Sequence, residues 1–148
     1  MAYEDSPQPI GHSATISAPH MHASALENVL PYLTPNGSPR RVLDVGSGSG
    51  YLTHVFAEFV TGSGDEREGN LVVGLEHIPA LRDLGEENMR KSARGRELLD
   101  KGIVQFRVGD GRKGWVEEGR SEWDVIHVGA AAKTVHEELL EQLRAPGW

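Results

Sequence analysis

The stretch Arg41-Val42-Leu43-Asp44-Val45-Gly46-Ser47-Gly48-Ser49-Gly50 constrains the fold more than any other part of the chain. Residues 42–45, an apolar run with one acid, read as a short buried strand. Three glycines at alternate positions follow at once, and then Tyr51-Leu52-Thr53-His54-Val55-Phe56-Ala57 takes up helical periodicity. The order is strand, glycine turn, helix N-terminus. Glycine permits positive φ and carries no Cβ to hold a ligand off the backbone. The first turn of a helix supplies free N–H groups and a partial positive charge. Such a junction fits a nucleoside cofactor with an anionic end. It also fits a tight turn with no ligand.

The spacing G-x-G-x-G is neither the G-x-G-x-x-G of dinucleotide folds nor the G-x-x-x-x-G-K-[ST] of phosphate loops, and no lysine follows the glycines. Two later positions bear on the choice. Leu71-Val72-Val73-Gly74-Leu75-Glu76-His77 reads as a second buried strand ending in an acid. In doubly wound folds the acid after the second strand takes the ribose hydroxyls, usually roughly twenty residues beyond the glycines. Glu76 stands further along, and the polar stretch GSGDEREGN at 62–70 accounts for the excess. The alternative is an ordinary solvated acid at a strand end. Ile103-Val104-Gln105-Phe106-Arg107-Val108 alternates as a third strand and runs into Gly109-Asp110-Gly111-Arg112. An acid between glycines at the carboxyl edge of a strand sits where open α/β sheets bind ligands. Asp110 could accept from the exocyclic amine of adenine, or serve only the turn.

The rest of the chain fills in an α/β alternation. Pro19 suits the first turn of a helix over about residues 20–30, capped near Ser17 or Ala18. Met21, Ala25, Leu26, Val29 and Leu33 fall at core spacing, and Pro31 ends or kinks the helix. Pro79 opens a helix reaching about residue 93, with Leu81, Leu84 and Met89 inward. Trp123-Asp124-Val125-Ile126-His127-Val128-Gly129 reads as a fourth strand. A last helix covers roughly 134–143, with Val135, Leu139, Leu140 and Leu143 on one face. This alternation predicts a parallel sheet with right-handed crossovers. A length of 148 residues suits one such domain.

Charge and composition remove several function classes. A net charge of −7 argues against a basic face for nucleic acid or anionic membrane. No apolar run approaches a membrane span, and the N-terminus has no signal-peptide pattern. The chain has no cysteine, which excludes a disulfide scaffold and favours a reducing compartment, so a cytoplasmic protein is expected. His20 and His22 stand two apart on a predicted helix, where side chains diverge, and no third ligand is near, so no metal site is expected.

The glycine turn, Glu76 and Asp110 together resemble the Rossmann-like class I fold of S-adenosylmethionine-dependent methyltransferases, a parallel sheet with helices on both faces. More narrowly, the chain resembles the protein-L-isoaspartate (D-aspartate) O-methyltransferase family. The likeness rests on Asp5-Ser6-Pro7-Gln8-Pro9-Ile10-Gly11, on Ala14-Thr15-Ile16-Ser17-Ala18-Pro19-His20-Met21-His22-Ala23, on the glycine turn, on Val108-Gly109-Asp110-Gly111-Arg112, and on Asp124-Val125-Ile126-His127-Val128-Gly129-Ala130-Ala131-Ala132. The block from Thr15 to His22 is its most family-specific part. The resemblance implies S-adenosylmethionine as cofactor, and isoaspartyl-containing proteins or peptides as the partners of a monomeric enzyme that begins their repair. It implies that Ala14, Thr15, Ile16, Ser17 and His22 line the active site and cofactor pocket, with Ser17 beside the carboxylate to be methylated. Asp44, Gly46, Gly48, Ser49 and Gly50 would hold the cofactor at the turn, Ser49 touching its methionine part. Glu76 and His77 would serve the ribose region, and Asp110 with Gly111 the adenine. Residues 1–20 would form an irregular segment over the cofactor site.

Members of that family extend further at both ends, so the resemblance implies a partial domain, incomplete on the C-terminal side. The fourth strand is then expected at an uncovered sheet edge, open to other chains. Two further readings use the same residues: a catalytically inactive fragment keeping a cofactor-binding half, and a class I methyltransferase with another substrate. The expected reaction asks little acid–base chemistry of the protein, because a carboxylate nucleophile is already ionised at neutral pH. Ser17 would orient it by a hydrogen bond.

Overall fold

A computed structural model of the chain describes residues 8–11, 14–16, 19–33, 39–62, 68–117, 119–120, 122–129 and 134–144, with side chains from residue 21 onward. Its centre is a four-stranded parallel sheet of β3 (Arg41–Val45), β4 (Leu71–Glu76), β5 (Val104–Val108) and β6 (Val125–Val128), in the order β5-β4-β3-β6. β3 pairs with β4 from Arg41 opposite Leu71, and with β6 from Val42 opposite Val125. Every residue of β3 and β4 is buried, as expected of parallel strands covered on both faces, which read as continuous apolar runs.

Alternate side chains divide between two cores. Val42, Val72, Val104 and Val125 point to one face, where they meet helices α1 (Pro19–Leu33), α2 (Tyr51–Thr61), α3 (Pro79–Arg90) and α4 (Ala93–Asp100) through Val29, Phe56, Met89 and Leu98. Leu43, Val45, Val73 and Leu75 point to the other, packed with Trp123, Trp115 and Ile126. At the amino edge of the sheet Arg41 is 2% exposed. Its guanidinium lies over the Trp123 ring, 4.8 Å from the centroid, and donates to the carbonyl of Glu122 at 3.1 Å. The Arg41 N–H donates to Asp124 Oδ2 at 2.8 Å, which fixes where β6 begins against β3.

Several expectations need correction. The lead to residue 20 is not irregular throughout: β1 (Gln8–Gly11) and β2 (Ala14–Ile16) pair as an antiparallel ribbon with a register shift between Pro9 and Gly11. Proline is tolerated in a strand with a free edge, which is the setting a two-stranded ribbon provides. Pro31 does not end α1, which continues to Leu33. Glu27, whose carbonyl loses its donor to the proline, is exposed, so water can take that carbonyl. The helix opened by Pro79 stops at Arg90, and α4 starts after Ser92, whose hydroxyl accepts from the Gly95 N–H at 3.0 Å. A local serine cap competes with helix continuation, and here it wins. The last helix is only α5 (Glu137–Glu141), and of its expected face Leu139 alone is buried, with Val135 70% and Leu140 59% exposed. Met21, placed in the core by spacing, is 52% exposed. Among the described residues β6 pairs along its length with β3 only, but the expected edge is not wholly uncovered: Trp123, just before β6, exchanges backbone hydrogen bonds on the outer side with Gln142 and Arg144, both at 2.8 Å.

One contact sets how closely α3 approaches the glycine turn. Gly50 has φ 80°, and a Cβ there would lie 2.9 Å from the Gly85 carbonyl oxygen of α3. Gly50→Ala should therefore cost at least about 1–2 kcal/mol for the left-handed backbone alone, plus the clash. Urea unfolding should show a lower midpoint with an unchanged slope. A midpoint equal to that of the parent chain would mean that α3 moves aside freely.

Candidate functional site

The sequence places its glycines where strand β3 must turn at once into α2, and the structure shows what holds that turn. Gly46, Gly48 and Gly50 all have positive φ. The N–H groups of Gly46 and Ser47 donate to the Leu75 carbonyl at 2.8 and 3.2 Å. The Gly48 N–H donates to Glu76 Oε2 at 3.1 Å, and Asn88 of α3 donates its amide to the Ser49 carbonyl at 3.0 Å. The turn is thus fastened to the carboxyl end of β4 and to α3 before any ligand arrives.

Glu76 is 5% exposed, and its other oxygen accepts from the His77 N–H at 3.0 Å. A carboxylate has about four acceptor positions, so capacity remains for hydroxyls on the cleft side. Asp110 caps a short 3-10 turn, Gly111–Lys113, by accepting from the Arg112 N–H at 3.0 Å. The Arg112 guanidinium also grips both carboxylate oxygens, and this holds the Asp110 carboxyl well below the usual carboxylate range, to about 2. Asp110 is therefore an acceptor at any physiological pH. A Cβ at Gly111 would overlap the Val45 side chain, so glycine is what lets this turn lie against the end of β3.

These parts enclose a cleft of about 1110 Å³ at the carboxyl edge of the sheet. Gly46, Glu76, His77, Asp110 and Gly111 line it with apolar walls of Val45, Leu75, Val128 and Leu139. A smaller chamber of about 50 Å³ adjoins it, and Gly46 borders both. His22, Asp44, Gly48, Ser49, Tyr51 and His127 line the chamber. Asp44 is 1% exposed, with its oxygens accepting from Thr53 Oγ1 at 2.6 Å and His127 Nδ1 at 3.0 Å. The His22 ring stacks on Tyr51 with centroids 5.3 Å apart. Burial, and then the charge of His127, lower the His22 pKa, with Asp44 opposing them.

The structure therefore gathers the sequence-predicted residues into two adjoining spaces. Glu76, His77, Asp110 and Gly111 share the cleft, while His22, Asp44, Gly48 and Ser49 share the chamber, and Gly46 joins the two. Gly50 lies behind them, against α3. Ala14, Thr15 and Ile16 form β2, but their side chains, and all of Ser17, lie outside the described residues. Sequence reasoning missed Thr53 and His127 as site residues. The signal for His127 was present: a polar side chain inside the apolar run 125–128.

Comparison with known proteins gives a consistent answer. A family model described as Protein-L-isoaspartate(D-aspartate) O-methyltransferase (PCMT) matches residues 1–148. Protein-L-isoaspartate O-methyltransferase 2 of Arabidopsis thaliana is 49% identical over 146 residues, covering 99% of this chain and 43% of its own length. The Triticum aestivum protein-L-isoaspartate O-methyltransferase is also 49% identical, covering 98% of this chain and 58% of its own. The chain thus spans about half the length of the curated relatives it matches. A Plasmodium falciparum crystal structure, described as a protein-L-isoaspartate O-methyltransferase in complex with S-adenosyl-L-homocysteine, superposes with a TM-score of 0.84 at 34% identity. That match covers 99% of this chain and 65% of the other. The architecture is accordingly the Rossmann-like fold of S-adenosylmethionine-dependent methyltransferases.

The half-buried His22 makes stability depend on pH in a definite direction. In the unfolded chain it takes its proton near its ordinary 6.5, and in the folded chain only at lower pH. Between those two points the unfolded state holds the extra proton, so stability falls as pH drops through the window and is level above it. His22→Asn should flatten this acid-side slope in urea titrations run across the imidazole range. An unaltered slope would show that His22 titrates alike in both states.

Proposed function

The chain belongs to the protein-L-isoaspartate(D-aspartate) O-methyltransferase family, and from that premise we propose that it transfers a methyl group from S-adenosylmethionine to the free carboxylate of L-isoaspartyl, and of D-aspartyl, residues in damaged proteins, so beginning their repair. The observation that carries this reading is the placement of Glu76 and Asp110 in one cleft that ends on the glycine turn.

The residues present fit that cofactor. A ribose needs an acceptor for two hydroxyls, and Glu76 offers a buried carboxylate at the carboxyl end of the second sheet strand. An adenine needs apolar walls and an acceptor for its amine, and Val45, Leu75, Val128 and Leu139 line the same cleft as Asp110. The methionine end needs close approach to backbone N–H groups, which the positive-φ glycines allow. When bound, S-adenosylmethionine supplies a methyl group on a cationic sulfur. The chain's own part is to align the substrate carboxylate, which needs no base to ionise it, and to exclude water. Ser17 is assigned the alignment by hydrogen bond, on the strength of its place in the Thr15 to His22 block.

Calorimetry with S-adenosylhomocysteine and with NAD tests the cofactor, and a methyl-transfer assay on an isoaspartyl peptide and its aspartyl counterpart tests the substrate. Expected are tighter binding of S-adenosylhomocysteine and methylation of the isoaspartyl peptide alone. Tighter binding of NAD, or equal methylation of both peptides, would overturn the corresponding half of the assignment.

Glu76 gives a sharper test. Glu76→Ala should weaken S-adenosylhomocysteine binding by about 1–3 kcal/mol, the cost of leaving hydroxyls and the Gly48 N–H without their acceptor. An unchanged dissociation constant in a folded variant would make Glu76 an ordinary strand-end acid.

A further inference from the structure

The chamber beside the glycine turn contains an arrangement that cofactor seating alone does not require. Because Gly46 borders both spaces, a nucleoside held on Glu76 and Asp110 would have the chamber of His22, Asp44 and His127 just across Gly46. Asp44 is buried, and an ionised carboxylate only accepts hydrogen bonds. The 3.0 Å contact with His127 therefore requires a hydrogen on Nδ1. The ring is kept in place by Phe56, edge-on with centroids 5.7 Å apart, and its side chain is only 18% exposed.

We propose that His127 is a positioning residue for the cationic end of the methyl donor: it holds the Asp44 carboxylate toward the chamber and so makes the chain prefer the donor over its demethylated product. This rests on the cofactor reading above. Donor and product differ only in the transferred methyl group and the positive charge it gives the sulfur. Among the described residues, the titratable groups around His127 are Asp44 from β3, His22 from α1 and, across the chamber, Tyr51 from α2, which also presents Phe56. The Asp44 carboxylate, held in the chamber wall by Thr53 and His127, supplies a negative charge that favours the sulfonium. Burial lowers the His22 pKa, which keeps that neighbouring ring from adding an opposing charge near neutral pH. Interactions of this kind are strong between buried groups, because solvent screening is weak there.

The test compares S-adenosylmethionine with S-adenosylhomocysteine by calorimetry on the whole chain at neutral pH. The wild-type chain should prefer the donor. His127→Asn keeps an N–H donor near the Nδ1 position, so the preference should persist. His127→Phe removes the donor, and the preference should fall roughly three- to tenfold, as partial loss of one charge–charge interaction implies. Nitrogen chemical shifts of the His127 ring in the free chain supply a readout that needs no ligand, and should report the Nδ1–H tautomer. An Nε2–H tautomer, a His127→Phe variant with the wild-type preference, or a His127→Asn variant without it would each overturn the proposal. Both ligands bound equally would defeat this inference alone, whereas neither ligand bound would defeat the cofactor reading and the inference with it.

Discussion

A carboxylate that is 1% exposed stays charged inside a sheet only while it keeps its donors, and Asp44 has two. Thr53 reaches it from the first turn of α2, and His127 from β6. One buried charge therefore fixes how α2 leaves the glycine turn and which residue of β6 stands beside the end of β3. Removing either donor would leave a buried charge under-satisfied, which is among the costliest local defects a fold can carry. The turn, the chamber and the edge of the sheet all inherit their geometry from this constraint.

The two edges of the sheet are built differently. At the amino edge Arg41 and Asp124 form a closed network, with the guanidinium against Trp123 and the carboxylate taking a backbone N–H. Arg40 and Arg144 also approach Asp124, at 3.6 and 3.3 Å. Nothing in that network faces the cleft. At the carboxyl edge Glu76 and Asp110 bind turns of the chain while still lining open space. The amino end is closed on itself and the carboxyl end keeps capacity for binding, as in open α/β sheets whose ligands sit beyond the carboxyl ends of the strands.

What the sequence made legible was local. The glycine turn could be read because its backbone demands a residue without a Cβ, and Glu76 and Asp110 because each ends a visible strand. The sheet followed from the valine-rich runs, and the family from motifs along nearly the whole chain. What could not be read depends on partners distant in sequence or on small local competitions. The break between α3 and α4 turns on a single serine cap at Ser92. The β1–β2 ribbon is a pairing rather than a composition, so proline and glycine hid it. His127 went unassigned within an apolar strand, because its meaning lies in Asp44, 83 residues earlier.

That separation has a consequence for how the site opens. The tie between Gly48 and Glu76 spans 28 residues and lies in the interior pair of strands, whereas the tie between Asp44 and His127 spans 83 and depends on a strand paired on one side only among the described residues. Proteins open in cooperative units of unequal stability, and edge elements are drawn from the weaker end. β6 is thus the looser wall of both spaces, since Val128 lines the cleft and His127 the chamber. In the free chain, backbone amides of β6 should then exchange with solvent ahead of those of β4. A ligand spanning both spaces would hold that wall in place, and the amides it protects most should be those of the strand farthest along the chain.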